Sequence, residues 1–379
     1  MAVRKTKGFK WPERFATVGW TGLGVDLLRS WMPILSEKTG MKTQVIGTPD
    51  SVCRFRWLRF GIADMTAGGT TEVSQMLEGD RRYGKRDSGP FQFGAIWAQS
   101  KSNSGFFVRG DSPIKTINDI KPGVRAVDMR GYLASQRILE AFLLWSGKIK
   151  DVEKEVDWVP AKSSDHKAEL VVEGKADVAF AMPSSPSIYK AEKNPHGIRW
   201  ISLNSQEDPE GARRFLAVDP LIDFLPMFNG VESCKGVWGS VGVSLQLTRT
   251  ETDPEFVYNM AKWLDENWKL IKDTHMWNEW ATRDSLMEEI PHTFYPIHEG
   301  LVAYLKDLGL WTNAMERRNH NNIDLVTRYV KANQEAIEKA DDQRMWVSSK
   351  NPEWLEFWES YKQKLKLPRF KMFLNLEED

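Results

Sequence analysis

Cysteine is scarce in this 379-residue chain: only Cys53 and Cys234, far apart in sequence. Two such residues make neither a disulfide framework nor a metal-binding Cys-x-x-Cys pair, so they are read as ordinary thiols. Long apolar runs are missing too. The longest, Ile138–Trp145, is broken by Glu140 and falls far short of the ~20 residues a membrane helix needs. A membrane-embedded protein is not expected. Charge of one sign is also lacking, because 52 basic and 52 acidic side chains cancel. No global field then draws the chain to nucleic acid or to an anionic membrane. No nucleic-acid partner is expected.

Several kinds of chemistry are absent as well. The six histidines, at positions 166, 196, 275, 292, 298 and 320, form no His-Glu-x-x-His or other close ligand pair, so no metal is expected. No Gly-x-Ser-x-Gly elbow or Cys–His signature appears. The Gly19–Gly24 segment is spaced Gly-x-x-Gly-x-Gly, which misplaces the glycines for a dinucleotide pyrophosphate. No cofactor and no catalytic residue are read from the chain. The amino-terminal Met1–Lys7 is basic and runs into Gly8–Pro12 rather than an apolar stretch, so no secretory signal is visible.

What is present is the balance of a folded protein, with 41% hydrophobic and 27% charged residues. The length suffices for two ordinary domains. Aromatic side chains are abundant (17 Trp, 18 Phe, 8 Tyr). Packing accounts for most of them and leaves a few to line a cleft.

Short β-type runs alternate with helical patterns along the first half. Strands are expected at Phe15–Trp20, Lys42–Gly47, Ala63–Ala67 and Phe91–Ala98, with helices at Val25–Lys38, Ser51–Phe60 and Thr70–Glu78. Gly79–Gly89, with Arg81, Arg82, Lys85 and Arg86, reads as an exposed loop. A second block predicts strands at Val124–Met129, Val156–Pro160, Ala176–Met182 and Ile198–Leu203. Its helices are expected at Leu133–Ser146, Ser163–Glu173 and Pro186–Lys193. Gln206–Asn229 looks irregular, and Gly239–Leu247 is strand-like. Such alternation implies right-handed crossovers and mostly parallel sheets. After residue 250 only helices are expected. Asp253-Pro254-Glu255 is a helix start, and later helices cover Ile297–Leu308, Ile323–Ala340 and Pro352–Lys362. The chain would cross between two lobes at Gly105–Gly110 and Ser240–Leu247. One lobe then comprises residues 1–108 and 244–379, and the other 109–243.

Four segments in order resemble a known group. Ser112–Val127 and Gly174–Phe180 are similar to the "I-K-T-x-x-D-L-K-G-K-R-V" and "G-K-x-D-A-A-F" segments of type II solute-binding proteins. Thr48–Val52 with Leu58–Asp64 resembles the "T-G-G-S-V-x-N-L … L-x-x-G-x-A-D" stretch of the TAXI family, the receptors of TRAP transporters. Pro296–Gly300 with Tyr304, Lys306 and Gly309 resembles that family's "P-x-H-P-G-A-x-x-Y-x-K-E-x-G". The resemblance spans about residues 15–312. The chain departs from it at Val18–Gly24, at Arg54 where the family has Asn, and at Met129–Ser135. It implies an α/β, two-lobed type II periplasmic-binding-protein fold with a helical carboxyl-terminal extension. By the same resemblance the chain would be a periplasmic receptor that closes on a small organic anion, with TRAP permease subunits as membrane partners. A native Met1 would instead place it in the cytoplasm.

In open α/β sheets ligands gather beyond the carboxyl ends of the strands, where helix N-termini offer free N–H groups. The candidate ligand contacts in the first lobe are therefore Trp20, Thr21, Thr48, Ser51, Arg54, Gly69 and Thr70. In the second they are Arg130, Tyr132, Ser135, Ser184 and Ser185, with Trp238 beside the second crossover. Arg130 ends a strand just before a glycine, where a guanidinium can clamp a carboxylate. Arg54 is expected to face solvent or to do the same work. His298 is expected to be structural. Two alternatives stay open. One is an enzyme of the same fold, a decarboxylase or dehydratase of aromatic or cyclic acids using Tyr132, Asp128 or Asp50. The other is a ligand sensor.

Overall fold

A computed structural model describes residues 9–163 and 165–377. The reading of Met1–Lys7 and the Ser164 position of the expected Ser163–Glu173 helix lie outside them. The chain divides into two compact units, one made of the described residues up to 101 and from 243 onward, the other of 102–242.

The first unit opens with β1 (Arg14–Trp20), α1 (Leu23–Thr39), β2 (Lys42–Thr48), α2 (Ser51–Arg59), β3 (Met65–Gly68) and α3 (Thr70–Glu78). β1 lies parallel to β2, from Arg14↔Lys42 to Trp20↔Thr48, and parallel to β3 at Thr17↔Met65. Parallel pairing brings the carboxyl ends of all three strands to one edge. Phe15 and Val18 are buried on β1, and Leu27, Leu28, Trp31 and Leu35 are the apolar stripe that α1 lays on the sheet. β4 (Phe93–Arg109) follows, and the chain leaves the first unit inside this strand. Sequence patterning placed a break here, at the polar run 99–104. The strand continues, and its buried Asn103 is satisfied by partners remote in sequence. Asn103 accepts the N–H groups of Phe228 (3.0 Å) and Asn229 (2.8 Å), and donates to the Asn229 carbonyl (2.8 Å).

The second unit contains β5 (Val124–Asp128), α4 (Leu133–Leu144), α5 (Val152–Glu155), β6 (Val156–Pro160), α6 (His166–Val172), β7 (Ala179–Ala181) and α7 (Pro186–Glu192). β8 (Ile198–Ile201), α8 (Pro209–Val218) and β9 (Asp223–Pro226) complete its own segment. β5 lies parallel to β6 throughout, and a parallel bridge joins Ala126 to Val178 just before β7. β7 and β8 both run antiparallel to β4, at Phe106 and Phe107. Phe106 stacks on Phe142 at 3.8 Å between ring centroids, inside a core that also buries Trp145 and Phe215. Each such ring contributes roughly 1.5–3 kcal/mol by leaving water.

β10 (Trp238–Arg249) starts against β9 and passes into the first unit within the strand. There it runs antiparallel to β3, with Leu245 opposite Gly68. The two units thus repeat one plan. Three parallel strands, the earliest in the middle, are followed by an antiparallel strand that the chain shares between units. This is the α/β type II plan the sequence implies.

Helices α9 (Pro254–Ile271), α10 (Arg283–Glu289), α11 (Glu299–Asp307), α12 (Asn313–Asp342) and α13 (Pro352–Lys364) finish the first unit. α12 begins ten residues before its expected start. Thr312 caps it, and its polar first turns are buried against backbone: Asn319 accepts Ile297 N–H (2.7 Å) and Asn322 donates to the Thr293 carbonyl (3.1 Å). A count of apolar spacing passes over such residues. The expected exposed loop at Gly79–Gly89 is also corrected. Tyr83 is wholly buried, and α13 covers the segment. Trp354 and Trp358 donate their indole N–H groups to the carbonyls of Gly84 (3.0 Å) and Glu78 (2.8 Å). Its arginines find distant partners: Arg86 pairs with Asp341 and Arg82 with Asp50. Local charge reveals neither Asp341, 255 residues on from Arg86, nor Asp50, 32 residues before Arg82.

The two thiols sit in different units. Cys53 is half-buried and Cys234 fully buried, and burial pushes the Cys234 thiol up to about 11. Thiolate is the reactive form. A thiol reagent at pH 8 should therefore titrate one cysteine in the native protein and the second only after denaturant is added. Two fast native thiols would contradict this burial.

Candidate functional site

In the first unit, the loops leaving β1, β2 and β3 meet at the carboxyl edge. Trp20 ends β1 half-buried, and Thr21 is exposed beside it, its N–H bonded to the Thr48 carbonyl at 3.2 Å. Thr48 is buried and its hydroxyl accepts the Asp50 N–H (3.2 Å). Ser51 is buried in the first turn of α2, which Asp50 caps by accepting Val52 N–H at 2.9 Å. Gly69 and Thr70 start α3 and are half-buried.

Arg54 corrects the solvent-facing expectation. Only 6% of the residue is exposed. Its Nη1 donates to the Ala67 carbonyl at 2.6 Å, its Nη2 forms an ion pair with Glu72, and the guanidinium lies 5.8 Å from the Trp20 ring centroid. The cation is neutralised inside the unit. Sequence reading missed Glu72, and nothing local points to it, because the pair joins the helices of two successive strand–helix units.

In the second unit, Arg130 follows β5 with its side chain 48% exposed. Its Nη2 donates to Glu153 at 3.1 Å, Asp128 lies 3.9 Å away, and the guanidinium stacks over Trp158 at 5.3 Å. The group expected to clamp a ligand carboxylate thus already holds two protein carboxylates. Tyr132 caps α4 through its backbone and packs on the core, and Ser135 follows half-buried in the first turn. Ser184 is buried and Ser185 precedes α7, both beyond the carboxyl end of β7. Trp238 is half-buried at the start of β10, where its carbonyl accepts Leu203 N–H (2.9 Å). Asp50 and Asp128, weighed above for catalysis, are occupied by Arg82 and by the Arg130 N–H.

One pattern sets these edges apart. Among the described helices of eight residues or more, α2, α8, α9, α11, α12 and α13 each begin on a side chain that accepts a backbone N–H. α1, α3 and α4 begin on Gly22, Gly69 and Tyr132 without such a bond. These three follow β1, β3 and β5. A Cβ placed on Gly22, Gly69 or Gly131 would meet no atom within 4 Å. The start of a helix at a strand end favours an anion by about 0.3–1 kcal/mol per terminus. No group of histidine, cysteine or acidic side chains suited to a metal occurs among the described residues. No described helix is long and apolar enough to cross a membrane.

Fold and edge together define an α/β protein of two repeated units with anion-compatible strand ends. The chain belongs to the NMT1-like family, whose model matches residues 16–309. No curated protein matches it. Among solved structures, it is similar to the periplasmic aliphatic sulphonate-binding protein SsuA of Escherichia coli (13% identity, 84% of this chain and 88% of that one, TM-score 0.40). It is also similar to a binding-protein component of an ABC phosphonate transporter from Pseudomonas aeruginosa (14%, 87% and 100%, 0.43). A third is the alkanesulfonate-binding protein SsuA of Xanthomonas axonopodis pv. citri bound to MOPS (14%, 90% and 96%, 0.41).

Proposed function

We propose that this chain is a periplasmic solute-binding receptor that holds a small organic acid at its strand-end loops and delivers it to a TRAP-type permease. The observation that carries the reading is the set of uncapped helix starts after β1, β3 and β5, with the hydroxyls of Thr21, Thr70 and Ser135 nearby in sequence. Family membership and the four ordered segments support the same class. The TRAP assignment rests on the TAXI-like segments alone.

A thermal-shift screen of amino acids, dicarboxylates, aromatic carboxylates and alkanesulfonates tests it. A ligand at a hundred times its dissociation constant stabilises by about 2.7 kcal/mol, so at least one acid should raise Tm by about 5 °C. A flat response across all four classes would sink the reading. Proton NMR of the stabilising acid left overnight with the protein should show it unchanged; loss of carbon dioxide or water would make the protein an enzyme instead.

A further inference from the structure

We propose that Tyr295 is a positioning residue for the ligand loop Gly68–Thr70, and that helix α12 governs that loop through it. This rests on the solute-binding reading above. Gly68 ends β3, and the candidate contacts Gly69 and Thr70 follow it into α3. The Tyr295 hydroxyl donates to the Gly68 carbonyl at 3.1 Å, from a point 227 residues further along the chain. The neighbouring Ala67 carbonyl accepts Arg54 Nη1 at 2.6 Å. Buried side chains therefore hold the last two carbonyls of β3. α3 itself begins on Gly69 with no side-chain cap, which leaves its entry to be set from outside the helix.

Tyr295 is in turn held by α12. It is only 1% exposed, and its ring packs edge-on against Phe93 and Phe294. Its backbone carbonyl accepts Asn322 Nδ2 at 3.1 Å, and the same amide donates to the Thr293 carbonyl at 3.1 Å. Asn319, also buried on α12, accepts the Ile297 N–H (2.7 Å) and donates to the Ile297 carbonyl (3.2 Å). The 293–297 backbone is thus fastened to α12 on both sides of Tyr295. Desolvation, and after it the carboxylates of Glu289 and Glu72, hold the Tyr295 hydroxyl well above its ordinary 10, so it stays a donor at neutral pH. α12 starts after the family match ends at residue 309. The chain Asn322–Tyr295–Gly68 therefore joins a candidate ligand loop of the matched part to the carboxyl-terminal extension.

The test compares Tyr295→Phe with Tyr329→Phe, which removes a different hydroxyl, the one bonded to the Pro368 carbonyl at 3.1 Å. Both should lower Tm. Calorimetry then titrates each with benzoate, succinate, glycine and ethanesulfonate, one from each class screened above. For any of these that binds wild type, Tyr295→Phe should raise Kd about fivefold, the worth of one neutral hydrogen bond. Tyr329→Phe should leave it unchanged. Without any acid, amide exchange of the peptide 68–76 should quicken about fivefold in Tyr295→Phe alone. An unchanged Kd or unchanged exchange in Tyr295→Phe would reduce Tyr295 to packing and leave the receptor reading standing. The same rise in Kd in both variants would trace it to lost stability and overturn the assignment too. If none of the four binds wild type, the receptor reading fails and this inference with it. If Tyr295→Phe does not fold, Asn322→Ala takes its place; the same rise in Kd is expected, and an unchanged Kd would overturn the link to α12.

Discussion

Glu72→Ala is expected to lower the unfolding free energy by about 3–5 kcal/mol, the usual result of stripping one partner from a buried ion pair. Arg54 is 6% exposed, and a guanidinium keeps its proton in a protein. Removing Glu72 leaves that charge with the Ala67 carbonyl (2.6 Å) as its remaining hydrogen-bond acceptor, and Nε is already buried without one. Urea unfolding at neutral pH measures the loss. The double variant Arg54→Met with Glu72→Leu should recover most of it, because an apolar pair of similar size has no desolvation to overcome. A loss below about 1 kcal/mol for Glu72→Ala would mean that water or another group satisfies Arg54. The consequence for this edge is direct: its Arg54 guanidinium is already matched by the Glu72 carboxylate.

Stability should also fall steeply as the pH drops from 6.5 to 4, and His298 is the cause. Its imidazole caps α11, with Nδ1 accepting the Gly300 N–H at 3.2 Å, and only 3% of the residue is exposed. Gly94 backs onto it so closely that an added Cβ would sit 2.8 Å from the His298 Cβ. Burial lowers the imidazole from 6.5 to about 4, against an opposite pull from the backbone of Thr250 and Thr252. The native state therefore holds this ring neutral, while the unfolded chain takes up a proton below about 6.5. The stabilisation is complete above pH 6.5 and is lost as the pH falls toward 4. At about 1.4 kcal/mol per pH unit the loss is roughly 3 kcal/mol. His298→Asn keeps a capping side chain without the titration, so its unfolding free energy should change by roughly 3 kcal/mol less across that window. Parallel curves for the two proteins would refute the assignment.

Much of the architecture was legible from residue spacing. The strands β1, β5 and β6 and the helices α2 and α3 lie within a residue or two of their expected bounds, and α9 starts at its expected Asp253-Pro254 cap, because apolar alternation and caps are local signals. The departures share one cause. Asn103, Asn319 and Asn322 are polar but buried, and the arginines of 79–89 pair with residues remote in sequence. Their burial depends on tertiary partners that no window of sequence contains. The strand-end loops were readable for the same reason as the strands, since topology puts Trp20, Thr48 and Gly69 on one edge. The states of the charged groups there were not. Whether Arg54 or Arg130 is available depends on Glu72, Glu153 and Asp128.

The sharing of β4 and β10 between units bears on how the protein is made. Residues 102–242 are contiguous and finish their unit while the ribosome is still at work. The other unit has to wait, because β3 lacks its antiparallel neighbour until Leu245–Leu247 emerge, and the carbonyls of Gly84 and Glu78 lack their indole donors until Trp354 and Trp358 follow. From Gly68 until Leu247 is made, β3 therefore carries an open edge. Slow synthesis or heat during expression should harm this half of the molecule first.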